Sequence, residues 1–180
     1  MKAILSGRMP ETKAQAISSR CSRPSGLRVR VLFVGQANGC RSQMAEAFAD
    51  HHGRDFLRAE SVGIRPAPRI APSARRLMLE KGLQVPECAP KGLDAVNLER
   101  FDLIVNLSGC VLPQTGSVPV LNLNIPDPMG RDDEFFREVR NRIEHHVMRL
   151  VRDLREACDR YTPAPPVWQV TAPPTAAARR

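Results

Sequence analysis

A chain of 180 residues, 42% apolar and 26% charged, fits one globular domain with room for a sizeable core. The net charge of +8 sits in the ends: residues 1–30 hold seven Lys/Arg against Glu11 alone, residues 163–180 hold Arg179 and Arg180, and residues 31–162 balance eighteen bases with eighteen acids. No specific nucleic-acid surface on the folded unit is implied, and no apolar run approaches the ~18 residues of a membrane span.

The N-terminal segment, residues 1–27, is basic and almost free of acids, and is expected to be a disordered extension rather than a targeting signal. The first strand is predicted over residues 29–34, where Val31-Leu32-Phe33-Val34 form a β-branched and aromatic run suited to burial. A small-residue loop follows, Gly35-Gln36-Ala37-Asn38-Gly39-Cys40-Arg41. The period then turns helical as far as His52, with Gly53 placed to end the helix. A strand, a glycine-containing loop and a helix N-terminus make an anion cradle: loop amides converge, the helix dipole favours negative charge, and Arg41 adds a planar donor fork. An ordinary strand-to-helix turn uses similar residues, so spacing alone leaves the two readings even.

A second strand is expected over residues 56–62 and a Pro-rich loop over 65–69. Pro72 opens a second helix, Ala74, Leu77, Met78 and Lys81 form its stripe, and Gly82 suits its cap. Residues 83–92 read as loop, 102–108 as a buried strand, and 118–125 as a fourth strand with imperfect alternation. Pro126-Asp127-Pro128-Met129-Gly130 is a rigid turn before a long helix starting near Arg131, with acids in its first turn and Phe136, Val139, Ile143, Val147, Leu150 and Leu154 at helical spacing. Residues 161–180 are Pro/Ala-rich and expected to be disordered, with Trp168 not docked on the core. The domain is thus placed at residues 28–160. The order strand–helix–strand–helix–strand–strand–helix predicts an α/β fold with a parallel sheet, and the Gly35–Arg41 loop lies beyond a strand C-terminus, where such sheets bind ligands.

Five scattered cysteines, Cys21, Cys40, Cys88, Cys110 and Cys158, show no zinc spacing and no disulfide framework, which points to a reducing, cytoplasmic setting. His51-His52 and His145-His146 are adjacent on helices, so each pair diverges by about 100° and is no metal clamp. No metal and no cofactor is expected.

The stretch VLFVGQANGCRSQMAEAFA resembles the phosphate loop of the low-molecular-weight protein tyrosine phosphatases and of the thioredoxin-coupled arsenate reductases that share their fold. That family has a Cys, five residues, then Arg and Ser, followed by a helix reading roughly Gln/Pro-Met-Ala-Glu. Asn38, Cys40, Arg41, Ser42, Gln43, Met44, Ala45 and Glu46 fall on this pattern, and Asp127-Pro128 matches the family's Asp-Pro motif. Weaker matches are Glu60-Ser61-Val62-Gly63, the Pro72 helix and Pro90-Lys91. The resemblance covers about residues 29–158 and implies a three-layer fold, with a four-stranded parallel sheet in the order 2-1-3-4 flanked by helices.

The same resemblance implies roles. Arg41 and the amides from Gln36 through Ala37, Asn38, Gly39 and Cys40 would bind a phosphate-like oxyanion or phosphorylated ligand. Ser42 would bond within the loop and assist a leaving thiolate, Asn38 would hold a partly left-handed backbone, and Asp127 would act as general acid and base. The family's nucleophilic Cys, however, falls on Gly35, which has no side chain to attack with. Expected is a phosphatase-like oxyanion-binding protein with impaired turnover. The alternatives are an active phosphatase using Cys40 or water with Asp127, and an arsenate reductase-like protein. Cys40 has the helix N-terminus and Arg41 to lower its pKa, but starts from the wrong side of the loop. The arsenate relay needs three thiols, and after the third strand this chain offers Ser108 and Cys110 at spacing that does not match. Met129-Gly130 lacks the aromatic pair of some tyrosine-specific members, which counts against phosphotyrosine as the particular ligand.

Overall fold

The structure is a computed structural model that describes residues 28–113 and 115–160. Expectations for residues 1–27, for 161–180 and thus for Cys21 and Trp168 lie outside the described residues. Four strands, β1 (Val29–Gly35), β2 (Leu57–Gly63), β3 (Leu103–Asn106) and β4 (Val120–Asn122), form one sheet in the order β2-β1-β3-β4. Every pairing is parallel, with Gly35 opposite Gly63 and Val34 opposite Asn106. The α-helices are α1 (Arg41–His52), α2 (Pro72–Leu79) and α3 (Asp133–Arg160).

The pleat of β1 explains the layers. Val31 and Phe33 join a large core cluster with Met44 and Phe48 of α1, Leu77 and Met78 of α2, and Ile143, Val147 and Leu154 of α3. Leu32 and Val34 point the other way, into a smaller cluster with Val62, Phe101, Ile104 and Val118. Two 3-10 turns, Leu93–Ala95 and Leu98–Arg100, help cover that second face through Leu93 and Leu98. β1 is therefore buried on both faces, as its unbroken apolar run requires.

Helix α1 departs from its mixed sequence pattern, since every residue from Arg41 to Ala49 is buried, Gln43 and Glu46 included. Gly53 caps it with φ −116°, an ordinary extended-side value rather than the left-handed cap that its glycine suggested. Helix α2 stops at Leu79, and Gly82, at φ +69°, lies in the turn beyond it. β4 covers three residues where eight were expected. Pro119 supplies only a carbonyl to the ladder, accepting from Ile104 N at 2.9 Å, and the alternation beyond Asn122 is lost.

Candidate oxyanion site at the end of β1

The loop from Gly35 to Arg41 is shaped by where its carbonyls go. Gly35, Gln36, Ala37 and Gly39 each turn a carbonyl outward, accepting from the amides of Ile64, Arg65, Ala67 and Ala71 at 2.8–3.1 Å. In a trans peptide the N–H points opposite to the C=O. The amides of Gln36, Ala37, Asn38 and Cys40 therefore face the inside of the loop, and the first turn of α1 adds its own free N–H groups there. Such a nest of N–H groups at a helix N-terminus attracts an anion. The loop forms part of the wall of a cavity of about 380 Å³, whose other walls are Ala67, Pro68, Ala71, Pro72 and Met129, with Arg69 and Asp127.

Asn38 fixes the turn. It has φ +50°, the one positive φ among described non-glycine residues, and Asn tolerates that conformation. Its side chain is saturated: Nδ2 donates to Ser61 Oγ at 2.8 Å and Ser42 Oγ at 3.2 Å, while Oδ1 accepts from Lys91 N at 2.8 Å and Gln43 Nε2 at 3.1 Å. Ser61 in turn donates a short hydrogen bond to Glu46. Burial pushes the Glu46 carboxyl up to about 7, and the Ser61 hydrogen bond and nearby Lys91 only partly oppose this.

β2 reaches the same loop through Gly63. A Cβ there would lie 2.6 Å from Asn38 N and 2.7 Å from the Ala37 carbonyl carbon, so only glycine lets the strand end approach the loop backbone. Gly63→Ala is expected to lower stability by roughly 1–3 kcal/mol, because rigid backbone has to move. Its urea midpoint should fall well below that of the native chain, and anion binding should weaken with it.

Arg41 is 8% exposed; its Nη1 donates to Ile125 O at 3.0 Å and its Nη2 to Asp127 Oδ2 at 2.9 Å. Asp127, about half exposed, also accepts from Met129 N at 3.2 Å through Oδ1. Arg41 and Asp127, 86 positions apart in the sequence, thus meet at one cavity. Gly35 is not in the left-handed region, so its backbone does not demand glycine. The space beside it is nonetheless taken, since a Cβ there would lie 2.7 Å from Ser42 Oγ and 3.1 Å from Ser42 Cβ.

Cys40 requires a correction. It precedes α1 without making a side-chain cap, and only 6% of it is exposed. Burial, reinforced by the charge of Asp127, pushes its thiol up to about 12 against the smaller pull of Arg41. The expected lowering by Arg41 and the helix is overridden by desolvation. Cys88 and Cys110 are exposed and free, and Cys110 Sγ contacts Gln36 Oε1 at 3.5 Å.

Residues 30–160 match the low molecular weight phosphotyrosine protein phosphatases. The chain belongs to that family. Among its relatives, a glutaredoxin arsenate reductase of Synechocystis sp. is 30% identical over 68% of this chain and 95% of the relative. A solved arsenate reductase from Archaeoglobus fulgidus is 40% identical, with a TM-score of 0.63 over 67% of this chain and 98% of the other. An arsenate reductase solved in the phosphate binding state is 29% identical, with a TM-score of 0.66 over 70% and 98%. Arsenate reductases therefore stand among the relatives of this phosphatase family member.

Sequence reasoning passed over the support behind the loop. Ser61, Gly63 and Lys91 are only weak family matches in the sequence and Glu46 only a position on the helix pattern, and their roles arise because β2 and the Lys91 segment close on Asn38 from behind. The Ile125 carbonyl that orients Arg41 left no trace in side-chain chemistry.

Proposed function

We propose that residues 28–160 form a family domain that binds phosphate-type oxyanions, phosphate or arsenate, and has lost turnover by the cysteinyl-phosphate route. The carrying observation is the outward set of loop carbonyls, which leaves amides and Arg41 around a cavity whose nucleophile position is Gly35. The phosphate state of one relative supports the choice of ligand. Free cysteines among the described residues support a cytoplasmic, reducing setting, and among those residues no helix is long and apolar enough to cross a membrane.

Inorganic phosphate or arsenate should raise the thermal midpoint of the native chain in a saturable way. Arg41→Ala should weaken that binding about 100-fold, because it removes a buried charge-assisted donor. Unchanged binding in this variant would sink the reading. A second reading has Asp127 activating water, favoured by its half-exposed carboxylate on the cavity wall. Asp127→Ala separates the two. It should abolish hydrolysis under the second reading. Under the first it should leave anion binding intact or up to a few-fold tighter, since the carboxylate no longer competes for Arg41.

A further inference from the structure

The hydroxyl of Ser42 lies beside the space that a side chain at position 35 would enter: a Cβ built on Gly35 would stand 2.7 Å from Ser42 Oγ. Ser42 is 1% exposed and lines the oxyanion cavity. Its Oγ accepts from Asn38 Nδ2 at 3.2 Å, which fixes the oxygen while leaving its own proton free to donate. No other hydrogen bond of Ser42 Oγ is present among the described residues. A buried hydroxyl held as an acceptor by Asn38 on the wall of a cavity lined by loop residues keeps its proton for an anion bound there.

Resting on the oxyanion-binding reading above, we infer that Ser42 borders the space left open at Gly35 and serves as a direct hydrogen-bond ligand of the bound anion. A thiolate at position 35 would face the anion with like charge. A hydroxyl there faces it with a proton. The exchange turns a site suited to attack into one suited to retention. The ligand class follows: a free tetrahedral dianion such as phosphate or arsenate, held by loop amides, Arg41 and the Ser42 hydroxyl together.

The test is a double-mutant cycle on the full chain, with inorganic phosphate as probe at one fixed pH and affinity read by calorimetry. Ser42→Ala removes the donor. Gly35→Ala adds only the Cβ that displaces it, on a backbone outside the left-handed region and with no new charge. Each single variant should bind phosphate about 10–100-fold more weakly than the native chain, the loss of roughly one charge-assisted hydrogen bond. The double variant should lose less than about twofold more, because the two changes remove the same contact. Ser42→Ala binding within twofold of native overturns the inference. So do losses that multiply in the double variant, which would mean two independent effects. A native chain that binds no phosphate, or an Arg41→Ala variant that binds as well as native, overturns the oxyanion reading itself and this inference with it. Thermal midpoints of the unliganded variants close to native show that the losses are not unfolding.

Discussion

On the proposed oxyanion-binding reading, Gly35→Cys should raise aryl phosphate hydrolysis roughly a thousandfold or more over the native protein. The other parts of the site are already assembled. Arg41 and Asp127 meet at the cavity 2.9 Å apart, and the loop amides face inward. A thiol at the end of β1 would sit inside that nest, where N–H groups, the helix N-terminus and Arg41 stabilise a thiolate. The obstacle is local. The new Cβ meets Ser42 Oγ at 2.7 Å, so Ser42 has to rotate and give up its 3.2 Å bond from Asn38. Asn38 keeps its stronger partner Ser61 at 2.8 Å, so the loop should survive. Hydrolysis of p-nitrophenyl phosphate by both proteins, side by side, checks this. Equal turnover by both would place the nucleophile elsewhere, with water at Asp127 the remaining choice given the buried, protonated Cys40 thiol. Turnover by neither would mean that the loop no longer holds a reactive geometry.

What could be read from the sequence follows the range of the interactions concerned. β1, its loop and α1 are written locally: an apolar strand run, small residues, then a helical period. The left-handed turn at Asn38 comes from the family resemblance, and the structure bears it out at a residue that tolerates that conformation. The thiol of Cys40 was misread because its neighbours in sequence, Arg41 and a helix start, argue for a thiolate, whereas its burial comes from packing that no local pattern encodes. Nothing local in the sequence marks Glu46, a polar residue within a mixed helical stretch, as buried. It is buried because α1 packs against β1, β2 and α3. The two 3-10 turns near residues 93–100 were missed because three residues carry no periodicity.

Glu46→Gln should stabilise the protein at neutral and alkaline pH by about 1–3 kcal/mol and remove a pH dependence that the native chain shows. The sign follows from proton counting. The Glu46 carboxyl, 4.5 in its ordinary state, is raised to about 7 in the fold, so between these values the folded chain holds a proton that the unfolded chain has released. Stability then falls as pH rises through this window and levels off above it. The full swing corresponds to roughly 3 kcal/mol at 1.36 kcal/mol per pH unit, an upper figure for a side chain this buried. Glutamine keeps an oxygen to accept from Ser61 and carries no charge to desolvate, so it retains the support of Asn38 without the penalty. His146 pulls the other way: burial, then the charges of His145, Arg142 and Arg149, hold its imidazole below 6.5, which costs stability as pH falls. Comparing native and variant by urea unfolding at pH 5 and pH 8 cancels that contribution. The two should agree closely at pH 5 and separate at pH 8, with the variant the more stable. Parallel pH profiles would show that Glu46 does not titrate in this window, and a variant less stable at pH 8 would mean that the ionised carboxylate's bond to Ser61 outweighs its desolvation.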